Sequence, residues 1–244
     1  MRAVLLSAGQ GSRLLPLTAD IPKCLVRIGE RTILDHQIDA LVAAGIGDIM
    51  VVGGYRADVL AAHVEKRRAE VPGLVLRFNP FWRVASSIGS VWEARDWLAA
   101  PFVLANGDTI FAPDLIAAAL GALRPGVNLL IEARPSSHQD DMLVALDGNR
   151  VRAVGKGLLP ESAPHRSLGV IASPDADGGG YAAALAALIG EDEGVHNFHH
   201  AIVDRIARRQ GVHAVLATSD RWQEFDSPAD IDLWLERARA PVRR

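Results

Sequence analysis

Cysteine is almost missing from this chain: Cys24 stands alone among 244 residues, and one thiol cannot close an internal bridge. A disulfide-stapled secreted domain is therefore excluded. None is needed, because a chain of this length buries roughly 70–75% of the surface its unfolded form exposes. Long apolar runs are missing too. Stretches such as 115–120 and 182–189 fall far short of the roughly 20 residues of a spanning helix, so no membrane span is expected. The opening run 3–6 is likewise too short for a secretory leader. Charge of one sign is lacking, since 26 basic residues meet 29 acidic ones for a net −3. That leaves no global basic field for a nucleic-acid backbone. Aromatic residues make up only 5%, and lysine occurs three times, at Lys23, Lys66 and Lys156. What is present, 49% hydrophobic and 23% charged residues, describes a globular cytoplasmic enzyme or binding protein.

Short apolar runs alternate with helical periodicity from the first residues onward. Strands are predicted over 3–6, 48–52, 74–79 and 102–105, and helices over 32–44, 57–70 and 90–98. Gly45 follows the first helix where a C-terminal cap prefers glycine. This rhythm predicts a three-layer αβα, Rossmann-like α/β fold with a mainly parallel mixed sheet and right-handed crossovers. After Asp108 it loosens. Helices are expected over 113–123, 181–189, 197–210 and 229–239, and strands over 127–133, 167–172 and 212–217. A small β-hairpin insertion turns at Asp147-Gly148-Asn149, and 173–180, with its three consecutive glycines, reads as a surface loop. No repeat or linker divides the chain, so one domain is expected, with residues 1–110 as one half and 111–244 as the other.

Ligands of open α/β sheets bind beyond the carboxyl ends of the strands. The richest such place is Ser7-Ala8-Gly9-Gln10-Gly11-Ser12-Arg13, where glycines let backbone N–H groups approach an anion. A G-x-G turn alone is as easily conformational. It continues, however, as Arg13-Leu14-Leu15-Pro16-Leu17-Thr18, then Pro22-Lys23-Cys24-Leu25. This is neither a Walker P-loop nor a dinucleotide fingerprint. Arg13 offers a planar fork for phosphate oxygens and Lys23 a compact point charge. Lys66, on an Arg-rich helix face, reads as an ordinary solvated cation.

Taken together, the turn, the Arg, the Pro-Leu-Thr and the Pro-Lys resemble the signature of the nucleotide-diphospho-sugar transferase family. Its members are nucleotidylyltransferases that join an NTP to a phosphorylated acceptor and release pyrophosphate. The resemblance is close over residues 1–55 and 100–110 and patchy afterwards. It implies catalytic roles for Arg13 and Lys23 and nucleotide contacts from Ser7, Ala8, Gly9, Gly11, Ser12, Ser86, Ser87 and Asn106. It also implies Mg²⁺ as cofactor, held by Asp108 and Asp226, and an acceptor contact from Lys156. Asn106-Gly107-Asp108 is also common turn punctuation, Asp226 or Ser227 could cap the last helix, and Ser90 reads better as a helix cap.

The acceptor is less sharply indicated. Asn79-Pro80-Phe81-Trp82 with Ser86-Ser87-Ile88-Gly89-Ser90 resembles the phosphocholine cytidylyltransferase branch, which makes CTP the leading nucleotide and phosphocholine the leading acceptor. A quaternary ammonium is recognised by aromatic faces, for which Trp82 and Trp222 stand in loop-like contexts, whereas Trp92 reads as core. A sugar phosphate would instead use Asp141, Asn197 or Glu224. Asn197 is also a candidate helix cap, and His199 and His200, adjacent in sequence, do not read as a zinc site. A hexose- or inositol-1-phosphate nucleotidylyltransferase is the nearest alternative, and a non-catalytic nucleotide-sugar-binding module is the alternative of another class. A homodimer is the base-rate expectation for any soluble enzyme.

Overall fold

Strand β1 (Arg2–Ser7) sets the architecture because both of its faces are covered. Ala3 and Leu5 point into one hydrophobic core and Val4 into another. A strand buried on both sides must be central, with helices above and below. The structure, a computed structural model, describes residues 1–133, 140–217 and 219–239. After β1 come the ribbon β2 (Arg27–Ile28) and β3 (Arg31–Thr32), α1 (Ile33–Ala43), β4 (Ile49–Gly53), α2 (Ala57–Arg68) and β5 (Leu74–Phe78). Then follow α3 (Ser87–Glu93), β6 (Phe102–Asn106), β7 (Thr109–Phe111), α4 (Pro113–Gly121) and β8 (Asn128–Ala133). The chain continues through β9 (Leu143–Asp147), β10 (Arg150–Gly155), β11 (His165–Ser173), α5 (Tyr181–Ile189) and α6 (His200–Arg209). It closes with β12 (Val212–Leu216), β13 (Trp222–Glu224) and α7 (Pro228–Arg239).

Nine strands form one sheet in the order β5-β4-β1-β6-β11-β8-β12-β10-β9. The first four pair in parallel, as helical crossovers require. β11 runs antiparallel to both β6 and β8, and the β9–β10 hairpin closes the far edge, so the sheet is mixed. Leu34, Ile38, Leu60, Val64, Leu115 and Ile116 carry α1, α2 and α4 onto one face. Ile88, Val91, Tyr181, Leu185, Ile202 and Ile206 carry α3, α5 and α6 onto the other. A third cluster of Leu14, Val26, Ile28, Ile33, Ile110 and Phe225 pins the signature segment and the end of β13 to the body. None of the helices among the described residues is long and apolar enough to cross a membrane.

Three local expectations need correction. α3 begins at Ser87, so Ser90 is no cap; it lies inside the helix, buried, where its hydroxyl accepts from Asn79 Nδ2 at 3.0 Å. α6 begins at His200, not Asn197. The Asn197 amide instead donates to the carbonyls of Glu193 and Gly194, closing the turn before the helix. The segment 173–180 is more than a surface loop, because Asp175 accepts from the Gly126 amide, Asp177 accepts from the Gly179 amide, and Gly178 is buried.

Candidate active site

A cleft of about 350 Å³ opens beyond the carboxyl ends of β1 and β6. Ser7, Ala8 and Gly9 form its floor, Arg13 and Lys23 one flank, and Trp82, Ser86 and Ser87 another. Asn106, Asp108, Lys156 and Asp226 complete it. The two central strands are drawn together at their ends. The Gly107 amide donates to the Leu6 carbonyl at 3.0 Å, and a Cβ on Gly107 would stand 2.4 Å from that oxygen. Only glycine allows this approach, and it places Asp108 beside the turn that follows β1.

Lys23 sits where the sequence brings three distant segments together. Its Nζ lies 2.8 Å from Asp108 Oδ2 and 2.5 Å from Asp226 Oδ1. Burial alone would lower its pKa, but the two carboxylates outweigh that effect and hold it above its ordinary value. The stem of Lys23 crosses Gly11, which has φ of +72°. A Cβ there would meet the lysine's Cβ, Cγ and Cδ at 2.8–2.9 Å. Thr18, fully buried, donates to the Gly11 carbonyl at 2.9 Å and locks the turn. Gly11 and Ser12 therefore shape the site from outside the cleft lining rather than facing into it.

Carboxylate oxygens of Asp108, Glu224 and Asp226 all lie within 4.8 Å of one another. Loss of water, and then the facing Asp108 and Asp226, raise the Glu224 carboxyl above its ordinary value. Three close carboxylates against one ammonium form a hard-oxygen donor set that fits a divalent cation.

Arg13 and Lys156 approach from opposite sides and share one partner. Asp140 Oδ2 lies 2.6 Å from Arg13 Nη1, and its Oδ1 lies 3.3 Å from Lys156 Nζ. Lys156 also lies over the Phe198 ring, 4.8 Å from its centroid. Arg13 stands 3.5 Å from Asp226, the main cause of its raised pKa.

Two expected acceptor contacts are placed elsewhere. Asn197 does not line this cleft, because its amide is committed to its own turn. Trp222 is buried, with its indole N–H donating to Glu132 Oε2 at 2.8 Å and the Arg166 guanidinium over its face at 4.9 Å. It lines an adjoining cavity of about 710 Å³ that shares Arg13, Arg166, Glu224 and Asp226 with the first. Trp82 lines the cleft, with Arg83 over its ring at 5.1 Å and Tyr55 against it edge-on. Trp92 packs against the core as expected.

Sequence reasoning passed over Gln37, which is buried in α1. Its Nε2 donates to the carbonyls of Asn106 at 2.6 Å and Thr109 at 2.8 Å, fixing the turn that carries Asp108. Its only signal was a polar residue on an otherwise apolar helix face. Asp140 and Arg166 carried no signal beyond their charge.

Residues 3–152 match the MobA-like NTP transferase domain. The chain belongs to that family. A CTP:phosphoglutamine cytidylyltransferase of Campylobacter jejuni is 53% identical over 66 residues, covering 27% of this chain and 26% of that protein. N-acetylmuramate alpha-1-phosphate uridylyltransferase of Caulobacter vibrioides is 32% identical over 159 residues, covering 60% of this chain and 65% of that protein. The matched stretches thus span less than two-thirds of either relative. Among solved structures, CTP:phosphocholine cytidylyltransferase from Streptococcus pneumoniae superposes with a TM-score of 0.79 at 21% identity, covering 98% of this chain and 99% of that one. The inositol-1-phosphate CTP transferase of T. maritima gives 0.79 at 18% identity, with 99% and 97% covered. The fold is the Rossmann-like nucleotide-diphospho-sugar transferase fold.

Proposed function

We propose that this member of the family is a nucleotidylyltransferase that moves CMP from CTP onto a small phosphorylated alcohol or sugar, releasing pyrophosphate. The observation that carries the reading is Lys23, held between Asp108 and Asp226 beside the glycine turn after β1. A triphosphate brings about four negative charges, and attack at its α-phosphorus needs them neutralised and held in line. In this reading residues 1–110 form the nucleotide half. The Gly9 end of the turn and Arg13 hold the β- and γ-phosphates, Lys23 the α-phosphate, and Ser86, Ser87 and Asn106 the nucleoside, while Gly11 and Ser12, expected to add amides, shape the turn from outside the lining. Residues 111–244 supply the acceptor side, where Lys156 holds the acceptor phosphate. Asp108, Asp226 and Glu224 are the residues that would hold Mg²⁺, which supplies charge neutralisation of phosphate oxygens when bound.

An acceptor phosphate oxygen attacks the α-phosphorus, the bond to the β-phosphate oxygen breaks, and pyrophosphate leaves without a covalent enzyme intermediate. Asp140 pairs with both outer cations, Arg13 and Lys156, and in this reading each cation exchanges that carboxylate for a phosphate. The test is pyrophosphate release in Mg²⁺ over CTP, UTP, GTP and dTTP crossed with phosphocholine, aminoethylphosphonate and hexose or inositol phosphates. Turnover with one CTP pair is the expected result. Triphosphate binding without pyrophosphate for any acceptor would make the protein a non-catalytic binding module.

A further inference from the structure

Residues 195–200 support the base-side loop from behind. The Ser86 amide donates to the Val195 carbonyl at 3.0 Å. The Ser87 hydroxyl oxygen accepts from the His199 amide at 2.9 Å and lies 3.0 Å from His199 Nδ1. His199 is 3% exposed, and burial lowers its pKa to about 4, so the ring is neutral at pH 7. Its Nε2 is buried with no hydrogen-bond partner among the described residues.

A neutral imidazole has one N–H to place. On Nε2 that hydrogen would be an orphaned buried donor, and the Ser87 hydrogen would be spent on Nδ1. On Nδ1 it donates to Ser87 Oγ, and what remains buried is a bare acceptor, the more readily tolerated orphan. Ser87 Oγ then accepts twice, from the His199 amide and from the ring. Its own hydrogen is left for the cleft that Ser87 lines.

We infer that His199 is a positioning residue that makes Ser87 a committed hydrogen-bond donor to the nucleoside base of the bound triphosphate. The inference rests on the nucleotide reading above. It needs no contact between His199 and the ligand, and it explains why a buried histidine stands behind a serine loop.

Two measurements test it. In the free protein, ¹⁵N NMR of the imidazoles should show His199 protonated at Nδ1, and protonation at Nε2 would overturn the inference. Calorimetric titration with CTP and Mg²⁺ should show Ser87→Ala and His199→Leu each weakening binding about fivefold, the loss of one neutral hydrogen bond. The double variant should be no weaker than Ser87→Ala. His199→Asn, whose amide keeps a donor near the Nδ1 position, should restore binding to about the native value. Native affinity in Ser87→Ala, which leaves the buried ring in place, would overturn this inference alone. A native protein that binds no nucleoside triphosphate would overturn it together with the functional reading.

Discussion

The two lysines of the cleft stand in opposite circumstances. Lys23 is 12% exposed and clamped by two carboxylates, whereas Lys156 is 36% exposed and reaches one exposed carboxylate at 3.3 Å. The first belongs to a prebuilt arrangement in which Gly11 and Thr18 shape the turn under its stem and Gln37 fixes the turn that carries Asp108. The second is a solvated cation on a hairpin exit, and exposed pairs of this kind contribute little to stability. Lys23 is thus held in place before any ligand arrives, whereas Lys156 is held by a contact that a ligand can replace at low cost.

The comparison can be broken most directly at Lys23. Lys23→Ala should lose roughly 10²–10³ in kcat, or about 3–4 kcal/mol of barrier, as for a donor facing developing charge. Near-native pyrophosphate release would show that its clamp is only structural.

Acid should act next, at the buried His199 behind Ser87. His199 binds its proton less readily when folded, at about 4 against 6.5. Its contribution to stability is therefore present above pH 6.5 and lost as pH falls toward 4, by up to about 3 kcal/mol. Urea unfolding at pH 7 and pH 4.5 should show a smaller loss in His199→Asn than in the native chain. Equal losses would remove His199 from the account.

Gly11→Ala should cost about 2 kcal/mol, because alanine is strained at that backbone angle and its Cβ meets the Lys23 stem. An unchanged denaturant midpoint would show that the close approach carries no weight. Smaller still, Lys156→Ala should raise the acceptor KM about fivefold to tenfold and leave the CTP KM alone, which initial-rate kinetics with either substrate varied would check. The least effect is expected from Asp140→Asn, under about 1 kcal/mol in thermal unfolding, since both partners are largely exposed.

Much of the fold was legible because its signals are local. The alternation of the long strands and helices over residues 1–106 follows from apolar periodicity, and β1, β4, β5 and β6 appear close to the expected bounds, whereas the two- and three-residue strands β2, β3 and β7 are too short to carry a pattern. Boundaries slipped at Ser90 and Asn197, where a polar residue suited to a cap proved to have a nearer or deeper partner. In the cleft, Arg13, Lys23 and Asp108 stood out because their spacing from a glycine turn is itself a sequence pattern. Gln37, Asp140 and Arg166 did not, because their partners lie 69, 127 and 34 positions away.

The sequence by itself determined the layered α/β architecture, the family and the strand ends where charge gathers, since each rests on neighbours a few residues apart. Only the tertiary structure decided that Lys23 is shared by Asp108 and Asp226, that Glu224 joins them, and that Trp222 faces an adjoining cavity. Those are matters of distance between segments up to 203 positions apart, and electrostatic and packing energies depend on separation in space, to which separation along the chain is no guide.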